Sequence, residues 1–321
     1  MVLRDSLGID IKFEEDSIKT YKIVRNGDYV AHLRSFQGGF AFSDKTGVCS
    51  PAYTILRPSE TISYGFLKPY FMSRKFIDSL RIVTYGIRDG KSISVEEWLK
   101  LYTCIPKKNE QQKISKFLRL IDNRIETQKK IIEKYESLIR GLYHSCFCNS
   151  ENTIIKLRDV VAIVKGKQVN GENLLENGQY YVMNGGIEPS GYLNEYNTPA
   201  DTISISEGGN SCGYVQYNKE PFWSGGHCYS LMPKSDNICY RFLYHFLKYK
   251  ENDIMALRIG SGLPNVQKKD LERFEVQLPS LERQREVTTL LDAISAKLDL
   301  ERQLHHVWQS QKQYLLGSLF I

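Results

Sequence analysis

Over residues 110–147 apolar side chains fall at Ile114, Leu118, Ile121, Ile125, Ile132, Tyr135, Ile139 and Leu142, with Gln128 in the one polar slot of the series. The steps alternate between four and three, the 3.5-residue period of a coiled-coil seam rather than the broader stripe of a surface helix. No proline interrupts the run. Pro106 stands just before it, where a proline is tolerated, and Glu110 suits the positive end of a helix dipole. The pattern predicts one unbroken helix, a rod about 57 Å long at 1.5 Å per residue.

The same pattern returns at the C-terminal end. Adding 173 to the residue number carries Pro106 onto Pro279, Gln111 onto Gln284, Ile114 onto Val287 and Leu118 onto Leu291. The same shift carries Ile121 onto Ile294, Ile125 onto Leu298, Tyr135 onto Trp308 and Leu142 onto Leu315. One constant shift over such a length marks an internal repeat, and its period is that of a domain, not of a solenoid. The symmetry predicts that the two helices pack antiparallel. The second is more polar at its centre, with Glu301, His305 and Lys312 where the first has Gln128, Ile132 and Ile139. Phe117, Leu120, Ile131 and Leu138, with Leu290 and Leu304, widen the apolar face beyond what two helices cover, which predicts a partner interface.

Outside the two helices the periodicity shortens. Strands are expected at 21–24 and 28–33, around the Asn26-Gly27 turn, and at 52–56, with helical spacing over 66–80. After the first helix, strands are expected at 160–164, 201–206, 213–217 and 228–232, and a helix at 240–250. The repeat extends here with small gaps: Asp28 answers Asp201, residues 52–55 answer 228–231, and Phe66-Leu67 answers Phe242-Leu243. The expected fold class is therefore α/β (α+β). Two globular domains, 1–106 and 149–279, are separated by two long antiparallel coiled-coil helices, 107–148 and 280–321, in a pseudo-twofold repeat. The first domain lacks a counterpart of residues 157–167 and reads as N-terminally short.

Composition narrows the class. The net charge of +6 is mild, but residues 106–148 hold 10 basic against 5 acidic groups. Lys113, Lys116, Arg119, Arg124, Lys129, Lys130 and Lys134 lie off the seam, either as a solvated face or as a track for phosphates. No apolar run approaches the ~20 residues that cross a bilayer, and the N-terminus has no signal-peptide core. The seven cysteines are scattered without a Cys-x-x-Cys pair, which argues against a zinc site or a disulfide framework. Reduced thiols and a cytoplasmic location are expected.

A search for catalytic chemistry returns negatives. Gly86-Ile87-Arg88-Asp89-Gly90-Lys91-Ser92 has three residues between its glycines where a phosphate-binding loop has four. There is no Asn-Pro-Pro-aromatic methyltransferase motif and no Gly-x-Gly-x-x-Gly turn. His227 and Cys228 beside Gly225-Gly226 suggest a base and a nucleophile, but without a positioned third group. No catalytic residue, cofactor site or metal site is expected. What remains are polar loops at equivalent places of the two halves. Arg34, Ser35 and Gln37 stand before Gly38-Gly39, and Asn210 and Ser211 follow Gly208-Gly209. Arg88 and Lys91 form a second pair of loops with Asn265. Arginine reads guanine bidentately and amides read adenine, while glycines let backbone approach a duplex. Lys165, Lys167, Lys268 and Lys269 are candidates for phosphates, or for plain solubility.

Taken in order, these features resemble the DNA-specificity subunits of type I restriction-modification systems. The resemblance rests on Gly-Asp-Tyr-Val at 27–30, Leu-Arg-Ser-Phe-Gln-Gly-Gly at 33–39 and Cys-Ser-Pro-Ala-Tyr at 49–53. It rests also on the helix openings from Pro106 and from Pro279, and on their closes at 138–142 and 315–320. It implies two target-recognition domains, each reading half of a split site in double-stranded DNA, with helices that fix the spacing. It further implies methyltransferase (modification) subunits docked on the helices, and a restriction subunit with ATPase and nuclease activity. Two alternatives stay open: a coiled-coil scaffold with no DNA role, and a diverged nuclease or methyltransferase.

Overall fold

The structure, a computed structural model, describes residues 19–31, 40–85, 92–147, 152–235, 237–260 and 262–320. The chain divides into two compact units, residues 1–131 with 301–321, and residues 132–300.

The first unit holds β1 (Lys22–Val24), β2 (Tyr29–Ala31), β3 (Ala41–Phe42), β4 (Gly47–Cys49) and β5 (Thr54–Leu56). These are followed by α1 (Leu67–Tyr70), α2 (Arg74–Ile82), β6 (Thr84–Tyr85), β7 (Ser92–Ile93) and α3 (Val95–Trp98). The long helix α4 (Lys108–Phe147) starts here and runs on into the second unit. Strands β3, β2 and β5 form one sheet in that order, while β1 pairs with β4. The Asn26-Gly27 turn thus joins two strands that do not pair with each other. Gly27 N donates to Ser43 O at 2.8 Å, and Ser43 N donates to Asp28 O at 2.9 Å. These bonds carry β2 onto β3, so the local hairpin signal loses to longer-range pairing. The helical spacing over 66–80 is also divided. Ser73 is extended, and its hydroxyl accepts from Phe76 N at 3.3 Å, which starts α2 as a new helix. The core is aromatic: Tyr29, Phe40, Phe66, Phe71 and Phe76 are buried together, with Trp98 packed edge-on against Phe76.

The second unit follows α4 with β8 (Thr153–Lys156), α5 (Leu157–Val160), β9 (Val161–Lys165), β10 (Tyr180–Met183), β11 (Tyr192–Leu193) and β12 (Thr202–Ser206). It continues with β13 (Val215–Asn218), β14 (Trp223–Ser224), β15 (Cys228–Pro233), α6 (Tyr240–Tyr249), α7 (Glu251–Ala256) and α8 (Lys268–Arg273). It ends on β16 (Glu275–Leu278) and the start of α9 (Leu281–Ser318). The main sheet is antiparallel in the order β13-β12-β15-β9. Its register repeats that of the first unit. Val30 stands opposite Ala41 and Ile55, and Ile203 stands opposite Tyr217 and Leu231. Strand β9 has no counterpart among the described residues of the first unit. Phe242, Leu243, Phe246 and Leu247 on α6 share one core with Phe147, Val287 and Leu291.

The seam is visible as burial. Gln111, Leu118, Ile121 and Gln128 are buried, and Ile114, Ile125, Ile132, Tyr135, Ile139 and Leu142 are half-buried. On α9, Gln284, Val287, Leu291 and Leu298 are buried at the shifted positions, while Ile294 and Trp308 are half-buried. In the first unit the two helices run antiparallel. Lys312 pairs with Asp122 at 2.6 Å, Arg124 lies 5.8 Å over the Trp308 ring, and Gln128 bonds to Glu301. Phe117, Leu120, Leu138, Leu290 and Leu304 stay between 41% and 54% exposed. Among the described residues no helix is long and apolar enough to cross a membrane.

Candidate nucleic-acid interface

Strands β9 and β12 end, and β15 begins, at the same end of the main sheet, because β15 runs antiparallel to both. The loops that leave these strands are drawn together by backbone bonds. Gly166 N donates to Cys228 O at 2.9 Å, and Lys167 N donates to Ser224 O at 2.8 Å. Glu207 N donates to His227 O at 2.9 Å, and Gly209 N donates to Pro264 O at 3.1 Å. Gly208 and Asn265 form an isolated β-bridge. The approach at Gly166 is close enough that a Cβ there would fall 2.2 Å from Gly225 O, so glycine is required. Gly209 holds φ +79°, a left-handed turn that aims the loop toward residues 264–265.

The convergence gathers Lys165 at the end of β9, Lys167, Asn210, Ser211 and Asn265 on the loops, and Lys268 at the start of α8, at one end of one sheet. Lys269 is the next residue of α8. Lys167, Asn210, Lys268 and Lys269 are exposed, and Ser211 and Asn265 are half-buried. Two of these side chains are partly committed. Asn265 Oδ1 accepts from Gln267 Nε2 at 3.0 Å, and Lys268 faces Glu272 at 3.8 Å. Arg34, Ser35, Gln37, Arg88 and Lys91 lie outside the described residues.

At the centre sits a carboxylate that the sequence did not single out. Glu207 is 8% exposed; its Oε1 accepts from Lys165 Nζ at 2.8 Å and from the Tyr229 hydroxyl at 2.9 Å. Burial, with this bond to Glu207, pushes the Tyr229 phenol far above its usual range. Glu207 Oε2 is buried with no hydrogen-bond partner among the described residues, and His227 Nδ1 stands 3.8 Å from it. Asn184 Oδ1 accepts from His227 N at 3.1 Å, and Lys167 O accepts from Trp223 Nε1 at 2.9 Å. Lys165 is therefore as much a counter-ion to Glu207 as a free cation. Nothing in the residue types signalled this; the buried charge follows from the strand ending one residue earlier, at Ser206.

The His227 and Cys228 pair does not make a nucleophile. Cys228 is buried, and burial pushes its thiol up to about 11, while the His227 ring faces Glu207. A thiol that is buried and protonated is inert at neutral pH. The surface carries amides, hydroxyls, lysines and a histidine around a glycine-rich turn.

Comparison with known proteins shows what the chain is similar to. The Type I restriction modification DNA specificity domain matches residues 149–307. A candidate type I specificity subunit of Mycoplasma genitalium is 28% identical over 279 residues, covering 82% of this chain and 72% of that protein. The specificity subunit of the type I restriction enzyme MjaVIII of Methanocaldococcus jannaschii is 24% identical, covering 99% of this chain and 83% of its own. The crystal structure of a type I restriction-modification S subunit from M. genitalium superposes with a TM-score of 0.70 at 23% identity, over 93% of this chain and 84% of that one. Residues 149–307 thus match a specificity domain, and the chain is similar over most of its length to type I restriction-modification specificity subunits.

Proposed function

We infer that this chain reads a two-part DNA sequence for a type I restriction-modification complex and is itself non-catalytic. The observation that carries the reading is the gathering of Lys167, Asn210, Ser211, Asn265 and Lys268 at one sheet end, inside the segment that matches the specificity domain. Amides and hydroxyls there suit base edges, and the lysines suit phosphates. Domain 149–279 takes one half-site. Domain 1–106 takes the other, through Arg34, Ser35, Gln37, Arg88 and Lys91. The helices at 107–148 and 280–321 set the spacing. Methyltransferase subunits dock on the exposed apolar residues beside the seam, with Phe117, Leu120 and Leu304 as contacts. A restriction subunit joins that assembly in the cytoplasm and supplies ATP-driven cleavage.

The test is methyl transfer from radiolabelled S-adenosylmethionine to duplex DNA. The chain alone is expected to transfer nothing, and modification subunits are expected to need it. Transfer by the chain alone would make it an enzyme. Transfer by the modification subunits at full rate without it would remove its role.

A further inference from the structure

One fully buried glutamine stands at the start of each long helix. Gln111 and Gln284 are both 2% exposed and are counterparts in the 173-residue repeat. Gln111 Oε1 accepts from Ser63 N at 2.7 Å, and its Nε2 donates to Pro106 O at 2.9 Å and Thr61 O at 3.1 Å. Gln284 Oε1 accepts from Cys239 N at 2.9 Å, and its Nε2 donates to Pro279 O at 2.9 Å. The next turn repeats too. The hydroxyls of Ser115 and Thr288 each donate at 2.7 Å to the carbonyl of their own glutamine.

Each amide joins the same three pieces of chain. They are the segment entering the globular domain's own helix (α1 or α6), the proline linker, and the first turns of the long helix. A side-chain amide accepts at its oxygen and donates two hydrogens from its nitrogen on one planar group; a carboxylate accepts only, and methionine does neither with any strength. A buried polar group costs free energy unless each bond is made, so an apolar contact would serve adhesion better than an amide does. What the amide adds is direction, since its bonds fix the angle at which the domain leaves the helix.

We propose that Gln111 and Gln284 are positioning residues that orient each recognition domain on its helix and so define which half-site spacing the protein accepts. The proposal rests on the DNA-reading function above. One extra base pair moves the half-sites about 3.4 Å apart and turns one against the other by roughly a tenth of a turn. A domain held at a fixed angle rejects that change, and a loosened one tolerates it.

The experiment selects duplexes from a fully randomised pool with the complex of chain and modification subunits, using wild type, Gln111→Glu, Gln111→Met, Gln284→Glu and Gln284→Met. Wild type is expected to return two blocks at one separation. Each variant is expected to return the same two blocks with separations spread one base pair to either side. Variants that keep the single wild-type separation would overturn the proposal. Loss of a block's own base preference in both variants of a pair would also overturn it, by making the amide a stability element. Failure of wild type to select two blocks would instead sink the DNA-reading function and this proposal with it.

Discussion

Gln128 donates to the backbone carbonyl of Glu301 at 3.1 Å, and Glu301 is its own counterpart in the repeat, 173 residues on. Two equivalent helices that run antiparallel bring a residue against its own counterpart only at their symmetry point. The polar slot in each seam is therefore one feature seen twice. The Gln128 amide also donates to the Glu301 carboxylate, and Gln128 is 7% exposed. A polar pair at one seam position fixes register at some cost in stability. Gln128→Leu alone is expected to lose about 1–3 kcal/mol, because it removes the buried amide's bonds to the Glu301 carbonyl and carboxylate. Gln128→Leu with Glu301→Leu should recover most of it. Chemical denaturation of the two variants checks this, and equal losses would mean the pair is not coupled.

Ile121 is 5% exposed and shares a core with Leu118, Leu316 and Phe320. Ile121→Asp puts an unpaired carboxylate there and is expected to cost roughly 3 kcal/mol or more. Phe117→Asp, one turn away on an exposed face, should leave the melting temperature nearly unchanged. Equal melting of the Ile121 variant and wild type would mean the seam is misplaced.

The second unit carries a buried titrating network. His245 is fully buried; its Nε2 lies 2.7 Å from Asp292 Oδ1, its Nδ1 lies 3.2 Å from the Tyr143 hydroxyl, and Arg241 Nε donates to Asp292 at 3.1 Å. Burial holds His245 below its usual range despite the carboxylate. Below about 6.5 the unfolded chain therefore binds a proton that the folded one refuses, and stability falls as pH falls. For Asp292, burial opposes ionisation, but bonds from Arg241 and His245 outweigh it and hold the carboxyl low. Its contribution is present above about 3.9 and is lost as pH falls through the lower folded value. The melting temperature is expected to drop from pH 7 to pH 5, and His245→Gln to flatten that slope. An unchanged slope would place the titration elsewhere.

At the sheet end, the side chains separate by chemistry. Lys167→Ala is expected to weaken binding to all DNA sequences alike and to flatten the salt dependence by about one unit of slope. Asn210→Ala should cost about 1–3 kcal/mol at one base position and relax preference there. Competition binding with single-base variants of the selected site measures both. A Lys167 variant that changed base preference would exchange the two roles.

Much of this was legible in the chain. The four-three alternation located α4 and α9 to within a few residues, because a seam repeats one signal many times. The constant shift exposed the repeat, and the register of Val30 and Ile203 carries it down to single pairs. Short strands such as β10, β11 and β14 were missed, since two to four residues hold too little periodicity. Glu207 was missed for another reason: charged residues are read as exposed, and its burial depends on Lys165 and Tyr229 from other strands. The glutamine pair was visible only as a match in the repeat, and its bonding required the loops at Ser63 and Cys239.

The central claim is that one chain reads two DNA blocks with its two halves. Footprinting tests it directly: the complex of chain and modification subunits is bound to its selected duplex, and protection is compared for wild type, Arg34→Ala with Gln37→Ala, and Asn210→Ala with Lys268→Ala. The account predicts two protected blocks across an unspecified gap, with the first double variant weakening one block and the second weakening the other. A single contiguous protected block, or both variants damaging the same block, would contradict it.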